Sequence, residues 1–344
     1  MKKLLLAFVA VFVMLGCQTK PIDAATTSKV HYISVGQGDS SLIQYGNHYV
    51  MIDAGHGRGY DDACVNYLKS KGVKTLDDLI FTHCDADHIN DGADVLSSVN
   101  VKKIYMSART SSSVTYKNLL LKIKSKGLKI TVPSVGTKIK IGKASITFLG
   151  VGTGATNNND SSLCMRYSDT YHKFVFTGDA SASMEAGLSS SSLKCDVFQA
   201  GHHGSRYANS DYILSAMKAK YVVVSCGKNN SYGHPHSEAL KRFASHHMKV
   251  YRTDLKGTVI CTSKKGSLTF NVKASASTGS SSSSSASSTT KVKYGTYYAS
   301  KVSKKYHRAS CRYVKSIKSA NLVTFKSTAE VKKAGYKACK VCNP

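Results

Sequence analysis

A 17-residue tract near the end of the chain, ASASTGSSSSSSASSTT at residues 274–290, carries almost no side chain that a hydrophobic core could accept. Serine-rich segments of this kind are typical of tethers between domains. The tract therefore predicts two separately folding units, at residues 30–273 and 291–344. With 344 residues and 42% apolar side chains, the chain is long enough for both.

The first residues, MKKLLLAFVAVFVMLGC, place two lysines before a short apolar run. This run is too short to span a bilayer comfortably and is typical of a secretory signal peptide. We predict a signal peptide at 1–16 and a linker at 17–29. The letters MLGC resemble a bacterial lipobox, which implies a lipid anchor on Cys17 and hence a membrane partner. The alternative is a freely secreted protein, and both versions predict an extracytoplasmic location.

The chain is strongly basic, with 48 Lys+Arg against 20 Asp+Glu and a net charge of +28. An excess of this size attracts polyanions over long distances, so nucleic acid, teichoic acid and anionic membranes are candidate partners. Simple solubility is the alternative explanation of the charge. The sequence predicts no protein partner.

Between residues 30 and 273 the hydrophobic pattern switches repeatedly between strand and helix periods. We predict strands at VHYISV, SLIQY, HYVMID, LIFTH, KITV, KIKI, ITFLG, SSLCMRYS, HKFVFTGD, CDVFQ and KYVVVSC, and in three final strands. We predict helices at DDACVNYLKSKG, TYKNLLLKIKSKG, DYILSAMKA and SEALKRFASHH. This order favours an α/β fold with two sheets packed face to face and helices outside.

One segment, FTHCDADHIND at residues 81–91, places four metal-binding side chains on six consecutive positions: His83, Asp85, Asp87 and His88. They follow the predicted strand LIFTH, which would deliver them to a loop at the edge of a sheet, where functional sites are common. A solvated surface loop is the alternative. Four donors directly behind a buried strand favour a metal site.

Two further strand ends add donors of the same kind. FVFTGDA places Asp179 after one strand, and VFQAGHHGS places His202 and His203 after the next. With a bridging carboxylate and another imidazole, the first motif can serve two divalent ions. Oxygen and nitrogen ligands suit Zn²⁺ or Mn²⁺. Nothing in this shell requires a thiolate, so we expect Cys84 to point away from the metals.

Several short motifs occur in a fixed order: VGQGDSSLIQ, MIDAG, THCDADHIND, NNDSSL, FTGDA, AGHHGS and SCGKNNSYGHP. On these motifs, residues 30–273 resemble the metallo-β-lactamase fold, in the branch similar to the extracellular hydrolase domain of ComEC competence proteins. The resemblance implies an αββα sandwich that binds two metal ions and hydrolyses its substrate.

The resemblance also implies the roles of the donors. One metal is held by His83 and Asp85, the other by Asp87 and His88, and Asp179 lies between them. His203 is favoured as a further ligand and His202 as a substrate contact, with the reverse assignment left open. The remaining candidate, His234 in YGHP, is a phosphate contact or a leaving-group acid, or else a structural histidine in a turn before Pro235.

The chain departs from the superfamily pattern at two places. The usual motif has histidine where this chain has Asp85, a substitution typical of the ComEC branch. The middle histidine ligand is missing, and Asn159 and Asp160 occupy its region. Either Asp160 or a water then completes one metal shell, and Asn159 joins His202 and His234 among the catalytic candidates.

A two-metal centre can hydrolyse a phosphodiester, a lactam or a thioester, so the ligands alone do not identify the substrate. The charge of the protein is the feature that distinguishes between these substrates. A strongly basic hydrolase holds a polyphosphate chain readily. The leading hypothesis is a phosphodiesterase whose substrate, by the ComEC resemblance, is extracellular DNA. The alternatives are a teichoic acid or phosphorylcholine phosphodiesterase, and a surface DNA-binding protein that does not catalyse.

The small unit contains two close ligand pairs at long separation, His307 with Cys311 and Cys339 with Cys342. This spacing predicts a tetrahedral structural zinc site, and a unit of about 50 residues needs such a staple. A disulfide is the alternative. YHRASC and KACKVCNP resemble the two ligand pairs of the zinc-binding domain of the Ada DNA-repair protein. Ada has cysteine where this chain has His307, so the resemblance implies zinc binding and a DNA-facing surface without methyl transfer.

About half of the charge excess lies in this small unit. Residues 291–344 contain twelve lysines, two arginines and one glutamate, a balance of +13. The tyrosines of this unit could stack on bases or fill its core; the candidates are Tyr294, Tyr297, Tyr298 and Tyr306. The six cysteines of the large unit lie partly in apolar runs such as VVVSC, where a buried free thiol is favoured over a disulfide.

Overall fold

A computed structural model describes residues 27–275, 294–308, 311–314, 316–339 and 342. The predicted signal peptide at 1–16 and the lipidation site Cys17 lie outside these residues, as does most of the predicted linker at 274–290. The chain divides into two compact units between residues 281 and 282. Among the described residues, no helix combines the length and apolar character needed to cross a bilayer.

The large unit is built from two β-sheets. Its strands are β1 (Ser28–Tyr32), β2 (Ser40–Tyr45), β3 (His48–Ala54), β4 (Thr75–Phe81), β5 (Asn100–Met106), β6 (Ile130–Thr131), β7 (Lys138–Ile141), β8 (Ala144–Gly150), β9 (Cys164–Ser168), β10 (Lys173–Phe176), β11 (Val197–Gln199), β12 (Tyr221–Val224), β13 (Lys249–Arg252), β14 (Val259–Lys264) and β15 (Ser267–Phe270). One sheet has the order β15-β14-β1-β2-β3-β4-β5-β6, and the other has the order β13-β12-β11-β10-β9-β8-β7.

Helices cover the outer faces of both sheets. They are α1 (Ala63–Ser70), α2 (Ala86–Ile89), α3 (Gly92–Ser98), α4 (Val114–Ser125), α5 (Ala182–Ala186), α6 (Ser190–Leu193), α7 (Asp211–Met217), α8 (Ser237–Ser245) and α9 (Thr253–Lys256).

Three apolar layers hold these elements together, because each sheet must bury two faces. Side chains such as Ile52 and Phe148 pack between the sheets. Leu119 of α4 packs on the outer face of the first sheet, and Phe243 of α8 packs on that of the second. Burial of this apolar area contributes about 25 cal/mol per Å². The predicted sandwich of two sheets with helices outside is confirmed.

Some local predictions were wrong. We did not predict helix α3 or strand β5, which follow the metal motif in a segment rich in polar residues. The KITV strand is shorter than predicted, with only Ile130 and Thr131 paired to β5. In β5 the buried positions are irregularly spaced and lysines stand on the exposed ones, so the alternation that identifies a strand is weak there.

Parallel pairing decides where the functional loops meet. β3 and β4 run parallel in the first sheet, and β10, β11 and β12 run parallel in the second. The carboxyl ends of parallel neighbours lie at one edge of a sheet, which is where α/β proteins place their sites. A hydrogen bond joins the two edges directly, since the Leu163 N–H donates to the Thr82 carbonyl at 2.9 Å.

The small unit contains one sheet with the order β18-β16-β17-β19. Its elements are β16 (Tyr294–Ser300), β17 (Lys305–Arg308), β18 (Leu322–Ser327), α10 (Thr328–Lys333) and β19 (Lys337–Ala338). Among its described residues, the fully buried apolar cluster consists of Tyr297, Ala299, Tyr306 and Val331. Two of the candidate tyrosines therefore fill the core, which is too small to stabilise the unit without a further crosslink.

Candidate metal centre

The predicted metal motif lies at the carboxyl end of β4. The strand ends at Phe81, and Thr82 to Asp85 form the loop that leads into helix α2. Asp179 follows β10, and His202 and His203 follow β11. All of these loops lie at the edge where the parallel strands of both sheets end, so the side chains converge although up to 120 residues separate them in sequence.

Five predicted ligands, together with Asp39, form three overlapping groups. Within each group the ligand atoms all lie within 4.8 Å of one another. Of the residues that the structure describes in this unit, the groups are His83 with His88 and Asp179, Asp87 with His88 and His203, and Asp39 with Asp179 and His203. Asp179 and His203 each belong to two groups, and so does His88. Such sharing is what a site for two neighbouring cations requires.

Four buried ligand atoms in these groups have no hydrogen-bond partner: His83 Nε2, His88 Nε2, His203 Nε2 and Asp179 Oδ1. His88 Nε2 lies 3.2 Å from Asp179 Oδ1, and His203 Nε2 lies 3.7 Å from the same oxygen. A buried polar atom without a partner is costly, and imidazole nitrogens facing a carboxylate are ligands for Zn²⁺ and Mn²⁺. These residues therefore fit divalent metal ions.

The far side of the His88 ring is held by a carboxylate that the sequence reading missed. Asp53 accepts from His88 Nδ1 at 2.7 Å, and its other contacts are the Thr82 N–H and hydroxyl, both at 2.7 Å. This arrangement points His88 Nε2 at Asp179. Ligating histidines usually donate their other nitrogen to such a partner, which fixes the ring and raises its basicity.

Glycines hold the backbone of Asp87 in place. A Cβ on Gly55 would lie 1.6 Å from the Asp87 carbonyl oxygen, and one on Gly38 would lie 2.7 Å from it. That oxygen also accepts from the Asp39 N–H at 2.9 Å. The motifs MIDAG and VGQGD thus meet at Asp87, and only glycine allows this close approach.

The His202–His203 turn has an unusual backbone. Both residues have left-handed φ angles, 51° and 54°, which cost roughly 1 kcal/mol or more each in residues other than glycine. Asn209 supports the turn, since its side chain accepts from the Gly201 N–H and donates to the Gly201 carbonyl. Glu185, fully buried, accepts from the Asn209 N–H at 2.7 Å. The strain sits where two imidazoles must be presented side by side.

The charges in the centre are mutually dependent. Burial opposes a charge on His203, but Asp179, Asp87 and Asp39 outweigh it and raise the pKa of His203 to about 9. Burial also opposes a charge on His88, and Asp179 with Asp53 raises its pKa well above the usual value. Protons thus balance the carboxylates, and a bound cation would replace them, as ligand imidazoles must be neutral.

A cavity of about 320 Å³ opens onto this centre. Its lining residues are Gln37, Asp85, Ala86, Asp87, Asn159, Asp179, His202, His203, Tyr232 and His234. All three predicted catalytic residues, His202, His234 and Asn159, therefore line the cavity. His202 Nε2 lies 3.5 Å from Asp179 Oδ2, but His202 is outside the convergent groups, whereas His203 is inside two of them.

Asp85 lies at the rim of the centre. Its Oδ2 is 3.7 Å from His83 Nε2, and its Oδ1 accepts from Asn158 Nδ2 at 2.6 Å. Arg109 Nε in turn donates to Asn158 Oδ1 at 2.7 Å. The predicted role of Asp85 as a ligand stays a prediction, and this relay shows which residues would orient its carboxylate.

Asp160 is engaged elsewhere. One carboxylate oxygen accepts from Asn157 Nδ2 at 2.8 Å and the other from the Ser181 N–H at 3.0 Å. Asp160 lies outside the convergent groups of the described residues. Its predicted place in a metal shell is untested, and in the present geometry it fixes the loop before Asp179 instead.

His234 is tied into a compact loop. Asn230 Oδ1 accepts from the His234 N–H at 3.0 Å, and Asn230 Nδ2 donates to the His234 carbonyl. Gln37 Oε1 accepts from the Gly227 N–H, which leaves Gln37 Nε2, 3.4 Å away, to donate to His234 Nδ1. The ring therefore carries its proton on Nε2. Burial, then the nearby His203, His236 and His202, lowers the pKa of His234 to about 3.

Asp39 is the second carboxylate that the sequence reading missed. It is buried, belongs to one of the convergent groups, and accepts from Gln199 Nε2. Burial raises its pKa. A signal was present for both missed residues, because Asp39 and Asp53 are single carboxylates beside apolar strands, in motifs that we used only to identify the fold.

The cysteines of the large unit take no part in the centre. Cys64, Cys84, Cys164, Cys195, Cys226 and Cys261 are buried free thiols, which confirms the preference for free thiols over disulfides. Cys84 packs in the apolar core beside α2, and no thiol joins the ligand groups of this unit among its described residues.

The small unit gathers a different donor set. His307, Cys311, Cys339 and Cys342 have ligand atoms within 4.8 Å of one another, and His307 Nδ1 lies 3.3 Å from Cys311 Sγ. No disulfide joins the cysteines that the structure describes. Burial, together with the nearby Cys311 and Cys339, raises the pKa of Cys342 to about 11. Three thiols and one imidazole fit the closed tetrahedral shell of structural zinc.

Comparison with known families agrees with both motif sets. The sequence profile of the Metallo-beta-lactamase superfamily matches residues 33–228, and that of the Metal binding domain of Ada matches residues 286–344. Both resemblances drawn from the motifs are thereby confirmed.

Three curated proteins are similar over most of the chain. ComE operon protein 3 of Bacillus subtilis is 28% identical over 270 residues, 72% of this chain and 34% of the relative. Recombination protein 2 of Haemophilus influenzae is 26% identical over 68% of this chain and 28% of its own length. Competence protein ComA of Neisseria gonorrhoeae is 26% identical over 65% and 30%. This chain spans about a third of the length of these relatives.

Solved structures with similar folds include the metallo-beta-lactamase fold protein YhfI from Bacillus subtilis, with 17% identity and a TM-score of 0.47 over 71% of this chain and 99% of that one. A diphosphatase from the PhnP family has 16% identity and a TM-score of 0.43 over 72% and 99%.

Proposed function

This chain belongs to the metallo-beta-lactamase superfamily of metal-dependent hydrolases, and from that premise we propose that it is a phosphodiesterase whose substrate is extracellular DNA. The observation that carries the proposal is the set of four buried, unpartnered ligand atoms beside an open cavity. The net charge of +28 supports a polyanionic substrate.

The residues that would hold the ions are His83 and Asp85 on one side, Asp87, His88 and His203 on the other, and Asp179 between them. Two divalent cations bound there supply a nucleophile from water at neutral pH and stabilise charge on the reacting phosphate.

The chain's own residues orient the substrate. His234 is neutral at pH 7, so its Nε2–H can donate one hydrogen bond to a phosphate or leaving-group oxygen and cannot act there as an imidazolium. Burial also lowers the pKa of His202, although the nearby Asp179 opposes the shift. Two neutral imidazoles on one wall of the cavity therefore offer hydrogen bonds without repelling the cations.

The charge and the relatives favour a nucleic acid over a lactam. Each phosphate that a basic protein neutralises releases counterions and adds affinity, whereas lactam hydrolysis gives no reason for a net charge of +28. By name, one of the curated relatives is a competence protein, one is a recombination protein, and one is a protein of the ComE operon. The small basic unit, with its zinc ligands, would retain the polymer.

The same proposal includes the location. We propose that the protein acts outside the cytoplasm, held to the membrane by a lipid on Cys17 or else freely secreted. Mass spectrometry of the protein from membrane fractions checks this, since a diacylglyceryl Cys17 at the mature N-terminus supports the anchor and an unmodified, differently cleaved terminus contradicts it.

The test of the reaction is a cleavage assay on labelled DNA with the full-length protein and Mn²⁺ or Zn²⁺. Asp179→Asn and Asp87→Asn should lower kcat/KM by about 1,000-fold or more, because each removes a ligand charge from the centre. Asp211→Asn, an exposed carboxylate on α7, serves as the control and should stay within about twofold. Wild-type cleavage no faster than that of Asp179→Asn contradicts the proposal, and cleavage of teichoic acid in place of DNA changes the substrate class.

A second candidate is a surface DNA-binding protein that does not catalyse. The engagement of Asp160 with Asn157 and Ser181, in the region of the missing histidine ligand, favours it. It predicts DNA affinity unaffected by Asp179→Asn and fewer than one tightly bound ion in the large unit.

A further inference from the structure

A second cavity, of about 700 Å³, opens directly beside the metal centre. It is lined by parts of the segments 36–37, 56–60, 86–90 and 227–232, and it shares Gln37, Ala86, Asp87 and Tyr232 with the catalytic cavity. Its volume lies in the range of ligand sites, roughly 300 to 1,000 Å³. The roles assigned to the metal centre do not use this space. We call it the Tyr60/Tyr232 groove.

Two tyrosines of the groove expose their rings. Tyr232 is 64% exposed and Tyr60 is 39% exposed. The Tyr232 ring stacks on His234 at a centroid distance of 5.6 Å and an angle of 18°. His234 in turn stacks on His203 at 5.9 Å and 28°. A continuous series of rings therefore leads from a predicted metal ligand out into the groove.

The groove is formed before any ligand binds. The Gln37 side chain joins two of its walls, since it accepts from the Gly227 N–H at 3.1 Å. A Cβ on Gly57 would lie 2.4 Å from the Gln37 nitrogen, and one on Gly227 would lie 2.7 Å from it. Asn230 closes the third wall by donating to the Gly227 carbonyl at 2.8 Å. Close backbone packing therefore fixes the segments 56–60 and 227–232, which carry the two tyrosines, against Gln37.

The Tyr60 ring has a fixed seat of its own. A Cβ on Gly36, whose φ is +73°, would lie 2.6 Å from the ring. The ring thus lies close against the Gly36 backbone and also borders the groove. A ring held in this way loses little side-chain entropy when a flat ligand stacks on it.

The charged side chains of the groove are mostly cationic. Arg58 and Lys228 line it together with His56 and several asparagines. The carboxylates at hand are Asp87, a predicted metal ligand, and two that face His56. The buried Asp91 lies 3.5 Å from His56 Nε2, and Asp61, with a largely exposed side chain, lies 3.9 Å from it. Exposed tyrosines combined with Arg and Lys are the surface that proteins use for unpaired nucleotides, which stack their bases and present their phosphates.

We propose that the Tyr60/Tyr232 groove binds unpaired nucleotides of a nucleic-acid strand on one side of the bond that the metal centre cleaves. The bases stack on Tyr60 and Tyr232, and Arg58 and Lys228 contact the phosphates. Because a paired base cannot expose its face to a tyrosine ring, the groove selects single strands or opened ends over intact duplex. This inference rests on the proposed phosphodiesterase function and adds the strandedness of its substrate.

Photocrosslinking tests the groove without any need for turnover. The full-length protein is irradiated with a single-stranded oligonucleotide that carries 5-iodouracil, and the crosslinked peptides are mapped. We expect crosslinks at Tyr60 or Tyr232. Crosslinks confined to other peptides, including the small unit, contradict the groove. Crosslinks at these tyrosines without DNA cleavage would support the groove while contradicting the proposed reaction.

Kinetics then separate substrate binding from a structural role. Tyr60→Ala and Tyr232→Ala should each raise the KM for a single-stranded oligonucleotide about tenfold, which is within the range for loss of one base stack. The matched control is Tyr212→Ala, with a tyrosine of similar exposure (44%) on α7; it should stay within about twofold. Hydrolysis of bis(p-nitrophenyl) phosphate, which is too small to fill the groove, should lose at least fivefold less than the oligonucleotide reaction. Equal losses on both substrates contradict the inference.

The cations of the groove have a separate readout. For a single strand, each phosphate contact contributes about 0.7 to the slope of log affinity against log salt concentration. Arg58→Ala and Lys228→Ala should each flatten the slope by that amount, and Lys126→Ala, at the end of α4, should leave it unchanged. Slopes equal to that of the wild type in both groove variants overturn the assignment of the phosphate path.

Discussion

The large and the small unit each collect four or more metal-binding side chains, but they differ in ligand type and in surroundings. The large unit uses imidazoles and carboxylates on loops after parallel strands, beside a cavity lined by further histidines. The small unit uses three thiols and one imidazole next to a small core, in which the described residues include a cluster of four buried apolar side chains. Hard oxygen ligands beside an open cavity suit catalysis, and soft thiolates in a closed shell suit structure.

Divalent metal ions should therefore have opposite relations to folding in the two units. The large unit buries three extensive apolar layers and should stay folded without its ions. The small unit has too little core to do so, and in such domains the free energy of metal binding is the free energy of folding.

Replacement of a zinc ligand in the small unit has the largest expected effect on structure. Cys339→Ser should unfold that unit, because about 10 kcal/mol or more of zinc-binding energy is lost. Limited proteolysis should then remove the tail while residues 30–273 resist. Hydrolysis of a small diester should stay near the wild-type rate. The control is Ser316→Ala, a substitution in the same unit outside the zinc ligands, which should keep the tail resistant to protease. A protease-resistant tail in Cys339→Ser contradicts the structural role of the cluster.

A single added methyl group in the large unit should displace the predicted ligand Asp87 and so impair the metal centre. In Gly55→Ala the new Cβ would meet the Asp87 carbonyl at 1.6 Å, so the Asp87 loop must shift. We expect at least a 100-fold loss of activity, with the zinc content of the small unit unchanged. In the control Gly187→Ala, the nearest atom lies at an ordinary 3.4 Å. Near wild-type activity in Gly55→Ala refutes the clamp on Asp87.

Two neighbouring asparagines test separately the two predicted ligands Asp85 and Asp160. Asn158→Ala removes the hydrogen bond to Asp85, and Asn157→Ala removes the bond that its side chain donates to Asp160, which keeps its bond from the Ser181 N–H. If Asp85 is the ligand, Asn158→Ala should weaken one of the two bound ions about 10-fold, as removal of an orienting partner does. Asn157→Ala should change neither ion more than about twofold. Calorimetric titration of metal into the stripped protein gives both values, and the reversed order would assign the shell to Asp160.

The smallest expected effect concerns a buried carboxyl group that lies outside both ligand clusters. Its effect on the free energy of unfolding should not depend on metal. Burial raises the pKa of Asp78 in β4 to about 6, with Lys103 opposing the shift. A raised carboxyl pKa means that the folded state binds the proton more tightly, so its stabilising effect is present at low pH and is lost as pH rises through about 6. Asp78→Asn should therefore stabilise the large unit by about 1 kcal/mol at pH 8 and not at pH 4.

Urea unfolding at the two pH values measures this effect. A stabilisation of the same size at both would attribute it to something other than the proton on Asp78. Since Asp78 lies outside the ligand groups, added Zn²⁺ or Mn²⁺ should not alter the difference between the two proteins.

The sequence predicted those parts of the large unit in which local pattern and function coincide. The run LIFTH identified the strand that carries the metal motif, and the alternation of strands and helices identified two sheets. It missed α3 and β5, because their segments mix small and polar residues whose burial depends on the neighbouring helix α4 and strand β4. Local patterns do not contain that information.

The site shows the same division. The ligand residues were visible as residue types at strand ends, since parallel strands bring their carboxyl ends together. Asp53 and Asp39 were not assigned, because their role depends on contacts with His88 and Gln199 that lie 35 and 160 residues away in sequence. The Tyr60/Tyr232 groove also depends on long-range contacts, between Gln37 and Gly227, and no single segment indicates it.

Metal content by elemental analysis tests the central claim most directly. The account predicts three tightly bound ions per full-length chain in the wild type, one ion in a variant that combines Asp179→Asn with His88→Ala, and two in Cys339→Ser. A wild-type protein that holds no more than one ion, lost only with Cys339→Ser, would contradict a two-metal centre in the large unit.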